Sequence, residues 1–439
     1  MATELTTPVT APDRAGDLAA VQRRILWLLS STQVIGGVGV ATGLSVGALL
    51  AADVAGTGIS GMVQSTAIVG GALLALPVAR IMRQFGRRPG MAAAYFAAAC
   101  GGVGVVVAAT LDSLPLLFVA MFLFGGGTTA GMQARFAAVD LAPSDRRGRH
   151  LSLVVWATTL GAVAGPNLSP LAGEALAGTG VPTLAAPFAL SAALFALAAV
   201  VVTGLLRPDP LRLRQQRDGA DERPGAGGLR EAWRAVARRP AARLGVASMA
   251  VGHLVMVGVM AMTPVHIRDA GHGDAATLRI VGVVLSLHIA GMYALSPVTG
   301  WLTDRFGRRA VILGGVGALV AACAVAGTAG HDSARLAIGL TLLGLGWSAT
   351  MVAGSLQLSD SVPAQVRPSA QGLADVAMGL AGALAGSLAG LVLQWSSYPV
   401  LALLAAIATV PLAAAALRPA SAPGRGDGDR LVPDGSAAR

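Results

Sequence analysis

The sequence predicts an all-α integral membrane protein, with twelve transmembrane helices in two pseudo-symmetric six-helix bundles. Three observations carry that expectation. Of 439 residues, 54% are hydrophobic and only 12% charged, with a mean hydropathy of +0.68. Soluble domains are about 25% charged, so this polar surface is far too small to cover a water-soluble particle. Apolar runs of about 20 residues, each long enough to cross a bilayer as a helix, recur along the chain. A charged hexapeptide also returns at a wide offset. Gly is abundant, at 58 residues, which suits helices packed backbone to backbone in lipid. Aromatic residues are few, and the runs are much longer than barrel strands, which argues against a β-barrel.

The runs of the first half lie at 25–52, 58–82, 89–111, 114–138, 150–176 and 183–206. Those of the second half lie at 242–267, 279–302, 309–329, 334–358, 370–394 and 397–417. This divides the chain into an N-terminal tail (1–24), a first bundle (25–206), a linker (207–241), a second bundle (242–417) and a tail (418–439). The last is rich in Gly, Pro and charge and is expected to be disordered. The first run is too long for a signal-peptide core and reads as an uncleaved span. Within the linker, Leu229, Trp233 and Val236 recur at helical spacing with Arg on the other faces. That pattern predicts a short helix lying on the membrane surface.

All 32 basic residues are Arg. A nucleotide-binding P-loop needs its Lys, so ATP-driven pumping by this chain alone is not expected. The Arg residues gather on one side of the predicted spans: Arg23, Arg24, Arg87, Arg88, Arg146, Arg147, Arg149, Arg308, Arg309 and those of the linker. The other side holds mainly Asp53, Asp112 and Glu174, with Arg268, Arg279 and Arg335 as exceptions. By the positive-inside rule both termini and the linker are cytoplasmic, in a multi-pass protein of a bacterial cell membrane. The net charge of +10 therefore reports topology rather than a nucleic-acid partner. Cys100 and Cys323 lie inside apolar runs, so neither a disulfide nor a metal site is expected, and no cofactor is implied.

The hexapeptide Arg83-Gln84-Phe85-Gly86-Arg87-Arg88 follows the second run, and Asp304-Arg305-Phe306-Gly307-Arg308-Arg309 follows the eighth, 221 positions later (83 to 304). The loops after the fourth and tenth runs repeat as well, Asp140 and Arg147 corresponding to Asp360 and Arg367. Two matches at nearly one offset imply duplicated halves related by an axis along the membrane normal, with a site at their interface near the midplane.

These residues resemble the major facilitator superfamily. The stretch from Gly300 through Asp304, Arg305, Gly307, Arg308 and Arg309 is similar to that family's signature loop, G-x-x-x-D-R-x-G-R-R. The resemblance implies that this loop and its first-half counterpart gate the cytoplasmic side. Gly161-x-x-x-Gly165-Pro166-Asn167 resembles the family's antiporter signature, which is associated with exporters. Ordinary close packing also explains glycines four apart, as at Gly39, Gly43 and Gly47 or Gly382, Gly386 and Gly390. Two departures stand out. Met121 occupies the fourth-helix position, four before Gly125, where drug/proton antiporters of the family often carry an Arg. Arg83 and Gln84 stand where the second copy has Asp304 and Arg305. The resemblance places the second helix against the eleventh, so the reversed charge predicts an Arg83–Asp375 pair across the halves. Arg83 reaching for lipid headgroups, with Asp375 bonded in its own half, is the alternative.

Ionisable groups inside spans are costly and are functional candidates by default. His253 and His288 are the proton-coupling candidates, since a His near neutrality can take up and release a proton. Each also suits a neutral packing role. Arg135, near the end of the fourth run, is expected to meet Asp140 or headgroups. If the family architecture holds, the substrate path draws on Gln33, Gln133, Asn167, His253, His288, Met292, Tyr293, Trp347 and Gln357, with Met256, Met260 and Met262 as a pliable wall or plain core. So few charges suit an amphipathic or uncharged substrate. The reading is a monomeric, proton-coupled exporter of small amphipathic organic molecules. An importer of a small metabolite and a non-transporting sensor of the same fold are the rivals. A membrane enzyme is disfavoured, because the spans hold neither a His-Glu-x-x-His motif nor grouped acids.

Overall fold

The computed structural model describes residues 11–142, 147–218, 229–363 and 366–418, and these are helical with no strand among them. The first half comprises α1 (Ala11–Ala55), α2 (Thr57–Phe85), α3 (Arg87–Thr110), α4 (Leu114–Phe124), α5 (Gly126–Ala137), α6 (Arg147–Ala175) and α7 (Ala186–Leu205). Two linker helices follow, α8 (Pro210–Asp218) and α9 (Leu229–Arg238). The second half comprises α10 (Pro240–Arg268), α11 (Asp274–Tyr293), α12 (Ser296–Phe306), α13 (Arg308–Gly327), α14 (Ser333–Ser361), α15 (Arg367–Trp395), α16 (Tyr398–Ala408) and α17 (Val410–Leu417). Helices α4 and α5 form one span, as do α11 with α12 and α16 with α17.

Among the described residues, eleven helical segments are long and apolar enough to cross a membrane. The expected fifth span is α6, 29 residues long and continuous through Pro166 and Pro170; the side chains of residues 151, 152 and 155 lie outside the described residues, so the eleven do not include it. Helix α1 begins at Ala11, so part of the expected tail continues the first helix. Residues 419–439 and the side chain of Arg147 lie outside the described residues.

The internal repeat is visible in how helices pair. In the first half α1 packs on α6, α3 on α7 and α3 on α4. In the second, α10 packs on α15, α13 on α16 and α13 on α14. Each half fills its centre differently. In the first, Phe124 meets Phe188 and Phe195 edge-on at 5.4 and 5.3 Å. Their rings occupy the space that side chains on α1 would need: a Cβ at Gly39 would come within 2.8 Å of Phe195, and one at Gly43 would fall on Phe124. This part of the glycine stripe on α1 is therefore a seat for aromatic rings.

Between the halves, α2 packs on α15 and α6 on α11, a pairing that exchanges under the two-fold relation. We call the face carrying α8, α9 and the Arg87 and Arg308 loops the linker face, and the opposite one the far face. The seam is sealed in its far half. Gly61 lies directly against the Gly386 carbonyl, and a Cβ at Gly390 would stand 2.9 Å from the Thr57 carbonyl oxygen. Ser65 donates to the Ala383 carbonyl at 2.9 Å, and Ser60 to Met262 Sδ at 3.7 Å. On the other side, Asn167 Nδ2 donates to Ser286 Oγ at 2.7 Å, and that hydroxyl donates to the Val163 carbonyl at 2.7 Å. Ion pairs Arg268–Asp53 and Arg279–Glu174 close the far rim. Toward the linker face the same helices part. Leu76, Pro77, Arg80 and Arg83 on α2 and Asp375 and Val376 on α15 are exposed, and a Cβ at Gly372 or Gly379 would have nothing within 4 Å. The seam is closed at the far face and open at the linker face.

Backbone contact of this kind tolerates no side chain. In a Cys100→Ser, Cys323→Ser background, Gly61→Leu should raise labelling of a cysteine placed at Ala383 by an impermeant maleimide, roughly fivefold or more. Unchanged labelling would mean that this contact does not hold the far face shut.

Candidate functional site

Near the middle of the second half, three rings from three helices meet. His253 lies on α10, Tyr293 at the end of α11 and Trp347 at the middle of α14. The Trp347 indole donates to His253 Nδ1 at 3.1 Å, their rings 6.2 Å apart. Tyr293 stands edge-on to Trp347 at 5.7 Å. Trp347 is 7% exposed, so most of its ring is already packed. Helix periodicity tells which way Tyr293 points. Gly282 and Ser286 face α6 across the seam. Seven residues on, Tyr293 returns to that face at 100° per residue.

Other expected substrate-path residues are placed elsewhere. Gln33 is 2% exposed and donates to Thr158 Oγ1 at 2.8 Å, which ties α1 to α6. Gln133 accepts from Arg87 Nη1 at 3.0 Å and so belongs to the linker-face loop. Asn167 is part of the far seal. His288 is fully buried, its Nδ1 2.8 Å from the Leu340 carbonyl oxygen on α14. Two residues beyond Ser286, it points away from the seam. Met292 is buried beside it in the α11–α14 packing. Gln357 is half-buried in the linker-side half of α14. The expected midplane set thus contracts to His253, Tyr293 and Trp347.

The linker-face loops show what the repeat builds. After α2 and α12 the chain turns through Gly86 and Gly307, with φ 96° and 86° and ψ near 180°. That region is essentially open to Gly alone. The turn brings the first residue of the next helix against the acid that ends the fourth or tenth span. Arg87 Nε and Nη2 donate to Asp140 Oδ2 and Oδ1 at 2.9 and 3.2 Å. Arg308 Nε and Nη2 both reach Asp360 Oδ2 at 3.0 Å. The geometry is repeated but the burial is not: the Asp140 side chain is 3% exposed and that of Asp360 55%. Arg214 from α8 also lies 4.0 Å from Asp140. Of the remaining loop residues, Gly300 and Asp304 stand open. Arg305 lies over the rings of Trp301 and Phe306 at 5.6 and 5.8 Å, and Arg309 donates to the Arg418 carbonyl at 2.6 Å.

Arg83 and Asp375 stand apart in this conformation, in which α2 and α15 separate at their level and Arg83 is exposed; the expected pair is a contact of the closed linker face. Arg135 does not meet Asp140, which Arg87 already holds. Asp209 in the linker is a capping residue that the sequence reading missed. Its Oδ2 accepts from the Arg88 backbone N–H at 2.8 Å, in the first turn of α3, where an acid is favoured by unsatisfied N–H groups and the helix dipole. Arg88 itself turns toward a small cavity it shares with Phe85, Arg207 and Arg212. The dipeptide Pro208-Asp209 just ahead of a helix was the available signal.

Two pseudo-symmetric helical halves, a seam open on one face and a midplane group of side chains describe a membrane transporter. The chain belongs to the Major Facilitator Superfamily, whose family model matches residues 26–279 and 272–431. It is a multi-pass transporter of small molecules, not an enzyme. It is 38% identical to the uncharacterized MFS-type transporter YdeG of Bacillus subtilis (strain 168), over 92% of this chain and 93% of that one. It is 29% identical to the riboflavin transporter RfnT of Brucella anthropi, over 88% and 95%. Among solved structures, the nucleoside transporter NupG superposes with TM-score 0.70 at 15% identity, over 90% of this chain and 98% of that one. A bacterial homologue of the human lysosomal transporter Spinster, in an inward-facing and unoccupied conformation, gives 0.68 at 14%, over 90% and 96%. At such identities the structures attest the fold alone.

The unequal burial of the two loop pairs has a measurable consequence. Asp140→Asn leaves Arg87 buried beside a neutral group and should cost on the order of 3 kcal/mol. Asp360→Asn, at an exposed pair, should cost about 1 kcal/mol or less. Thermal melts of the purified variants check the ranking, and equal losses would contradict it. By the same logic Gly86→Ala should be the more damaging of the two turn substitutions. Its Cβ would collide with the Asp209 carboxylate, whereas at Gly307 only the backbone cost of about 1–3 kcal/mol applies.

Proposed function

We propose that this protein is an alternating-access antiporter that exports small amphipathic organic molecules carrying a planar ring, in exchange for protons. On this reading the linker face is cytoplasmic, as its Arg content requires, and the conformation described is inward-open. The observation that carries it is the His253–Trp347–Tyr293 group of rings near the middle of the second half. Stacked and edge-on aromatic contacts favour a flat, conjugated solute and ask for no full charge. The paucity of charge near the midplane speaks against a polyanion. Export is favoured by Gly161-x-x-x-Gly165-Pro166-Asn167. Its glycines seat α6 against α1 at Val34, Val38 and Thr42, while Asn167 reaches across to Ser286. The segment thus links the first half's packing to the far-face seal that must open for release.

A second reading, uptake of a planar heteroaromatic metabolite, is favoured by the relative named as a riboflavin transporter. The same three rings would serve it. Everted and right-side-out membrane vesicles separate the two, with ethidium and riboflavin as probes. Export predicts ethidium accumulation in everted vesicles under an acid-inside gradient, abolished by nigericin. Gradient-dependent riboflavin uptake by right-side-out vesicles would overturn export and support the second reading. In either case Trp347→Leu should raise KM about tenfold while changing kcat little. His288→Gln, at a packing position, should leave proton coupling intact.

A further inference from the structure

We propose that the linker-face cavity at Arg88, Arg207 and Arg212 and the apolar groove between α3 and α7 together form a site for one anionic phospholipid, and that this lipid fastens α8 over the buried Arg87–Asp140 pair. The site stands apart from the seam and depends on neither the direction nor the coupling of transport.

The headgroup end is a cavity of about 280 Å³ between the end of α2, the start of α3 and the linker. Arg88, Arg207 and Arg212 line it, and among the described residues no hydrogen bond or ion pair holds their guanidinium groups. Asp209 is the acid of the lining, and its carboxylate is already spent. Its Oδ2 accepts from the Arg88 N–H at 2.8 Å, and its Oδ1 from the N–H groups of Leu211 and Arg212 at 3.0 and 3.3 Å. One carboxylate thus caps α3 and α8 together. Three cations remain against one compensated anion. A phosphodiester supplies both the charge and the acceptor oxygens that they lack.

The same two helices carry the apolar end, a groove of about 580 Å³. Ala92, Ala93 and Phe96 line it on α3, and Ala199, Thr203 and Gly204 on α7. Ala92 stands one helical turn after Arg88, and Arg207 comes just past the end of α7, beyond Gly204. The small residues leave the depression, and a Cβ at Gly204 would have nothing within 4 Å. From Arg88 to Phe96 the helix axis advances about 12 Å at 1.5 Å per residue. One leaflet's hydrocarbon is about 15 Å deep, so an acyl chain runs the length of the groove when its phosphate rests among the arginines. Basic pockets at this depth attract anionic headgroups, whereas a free phosphate would leave the groove empty. In the second half, Arg309 holds the place of Arg88 in the repeat, but it donates to the Arg418 carbonyl at 2.6 Å. The first half alone, among the described residues, has its arginines unspent. A phosphate that touches Arg88 on α3 and Arg212 on α8 ties the two helices that Asp209 caps. It thereby holds α8, with Arg214 4.0 Å from Asp140, over the loop pair.

Native mass spectrometry of the purified, delipidated full chain in detergent tests the site, with dioleoylphosphatidylglycerol as the probe and dioleoylphosphatidylcholine as the zwitterionic control. One phosphatidylglycerol should be retained with roughly tenfold higher affinity than phosphatidylcholine. Arg88→Gln, Arg207→Gln and Arg212→Gln combined should abolish that preference. Arg305→Gln, Arg309→Gln and Arg418→Gln, which remove equal charge from the second half, should keep it. Gly204→Leu leaves every charge in place and fills the groove, so it should weaken phosphatidylglycerol binding about fivefold. Free glycerol phosphate at the lipid's concentration should displace nothing. In nanodiscs of the two lipids, the amides of 212–216 should exchange hydrogen several-fold more slowly with phosphatidylglycerol, and the first triple variant should lose that protection. Equal retention of the two lipids, or displacement by glycerol phosphate, would overturn the site. So would a preference that survives the first triple variant. If that variant does not fold, Gly204→Leu decides, and undiminished binding there would overturn the proposal. Exchange in α8 that ignores the lipid would overturn the fastening.

Discussion

The close approach of α2 to α15, backbone against backbone at Gly61 and Gly386, is the constraint on which the rest of the structure depends. In lipid there is little hydrophobic gain from bringing two helices together, so contact geometry and a few polar bonds decide where halves adhere. Glycines concentrate that adhesion in the far half of the seam, and α6 with α11 supplies the symmetry-related contact through Asn167 and Ser286. Adhesion confined to one end leaves the other end free to part. The open linker face and the exposure of Asp375 both follow from that uneven distribution of small residues. A seam uniformly glued would be a static bundle.

Duplication supplied two copies of one linker-face device, and the copies have diverged in burial more than in geometry. Arg87–Asp140 and Arg308–Asp360 join the same elements at nearly the same distances. The first is roofed by α8, which brings Arg214 toward the acid and Asp209 onto the start of α3. The second is roofed by no such helix among the described residues. The start of α3 is capped by Asp209, an acid more than a hundred residues away in sequence, whereas Asp304 in the second copy stands exposed.

Polar side chains within the spans divide into those that are spent and those that are not. Gln33, Ser65 and Asn167 are each bonded to a neighbouring helix, which offsets the cost of burying them, whereas His288 is bonded through Nδ1 and its buried Nε2 has no partner among the described residues. His253 and Trp347 satisfy one another and still present rings toward the seam. Arg135, like His288, keeps a buried nitrogen, its Nε, without a hydrogen-bond partner among the described residues.

The sequence by itself determined the class, the duplicated halves and the linker-face loops. Run length, Arg distribution and the hexapeptide repeat are local properties that survive in one dimension. It also singled out His253, Tyr293 and Trp347, but in company with Gln33, Gln133 and His288, from which it had no means to part them. Which face of a helix meets the seam is set by the crossing of neighbouring helices, and a two-residue step turns a side chain from cavity to core. Only the tertiary structure decided that Arg83 and Asp375 stand apart in this conformation, because that depends on which helices separate in this state. The same holds for Asp209, whose role exists only where the linker folds back onto α3. Pattern along the chain fixes what each helix is, while packing between helices fixes what each side chain can reach.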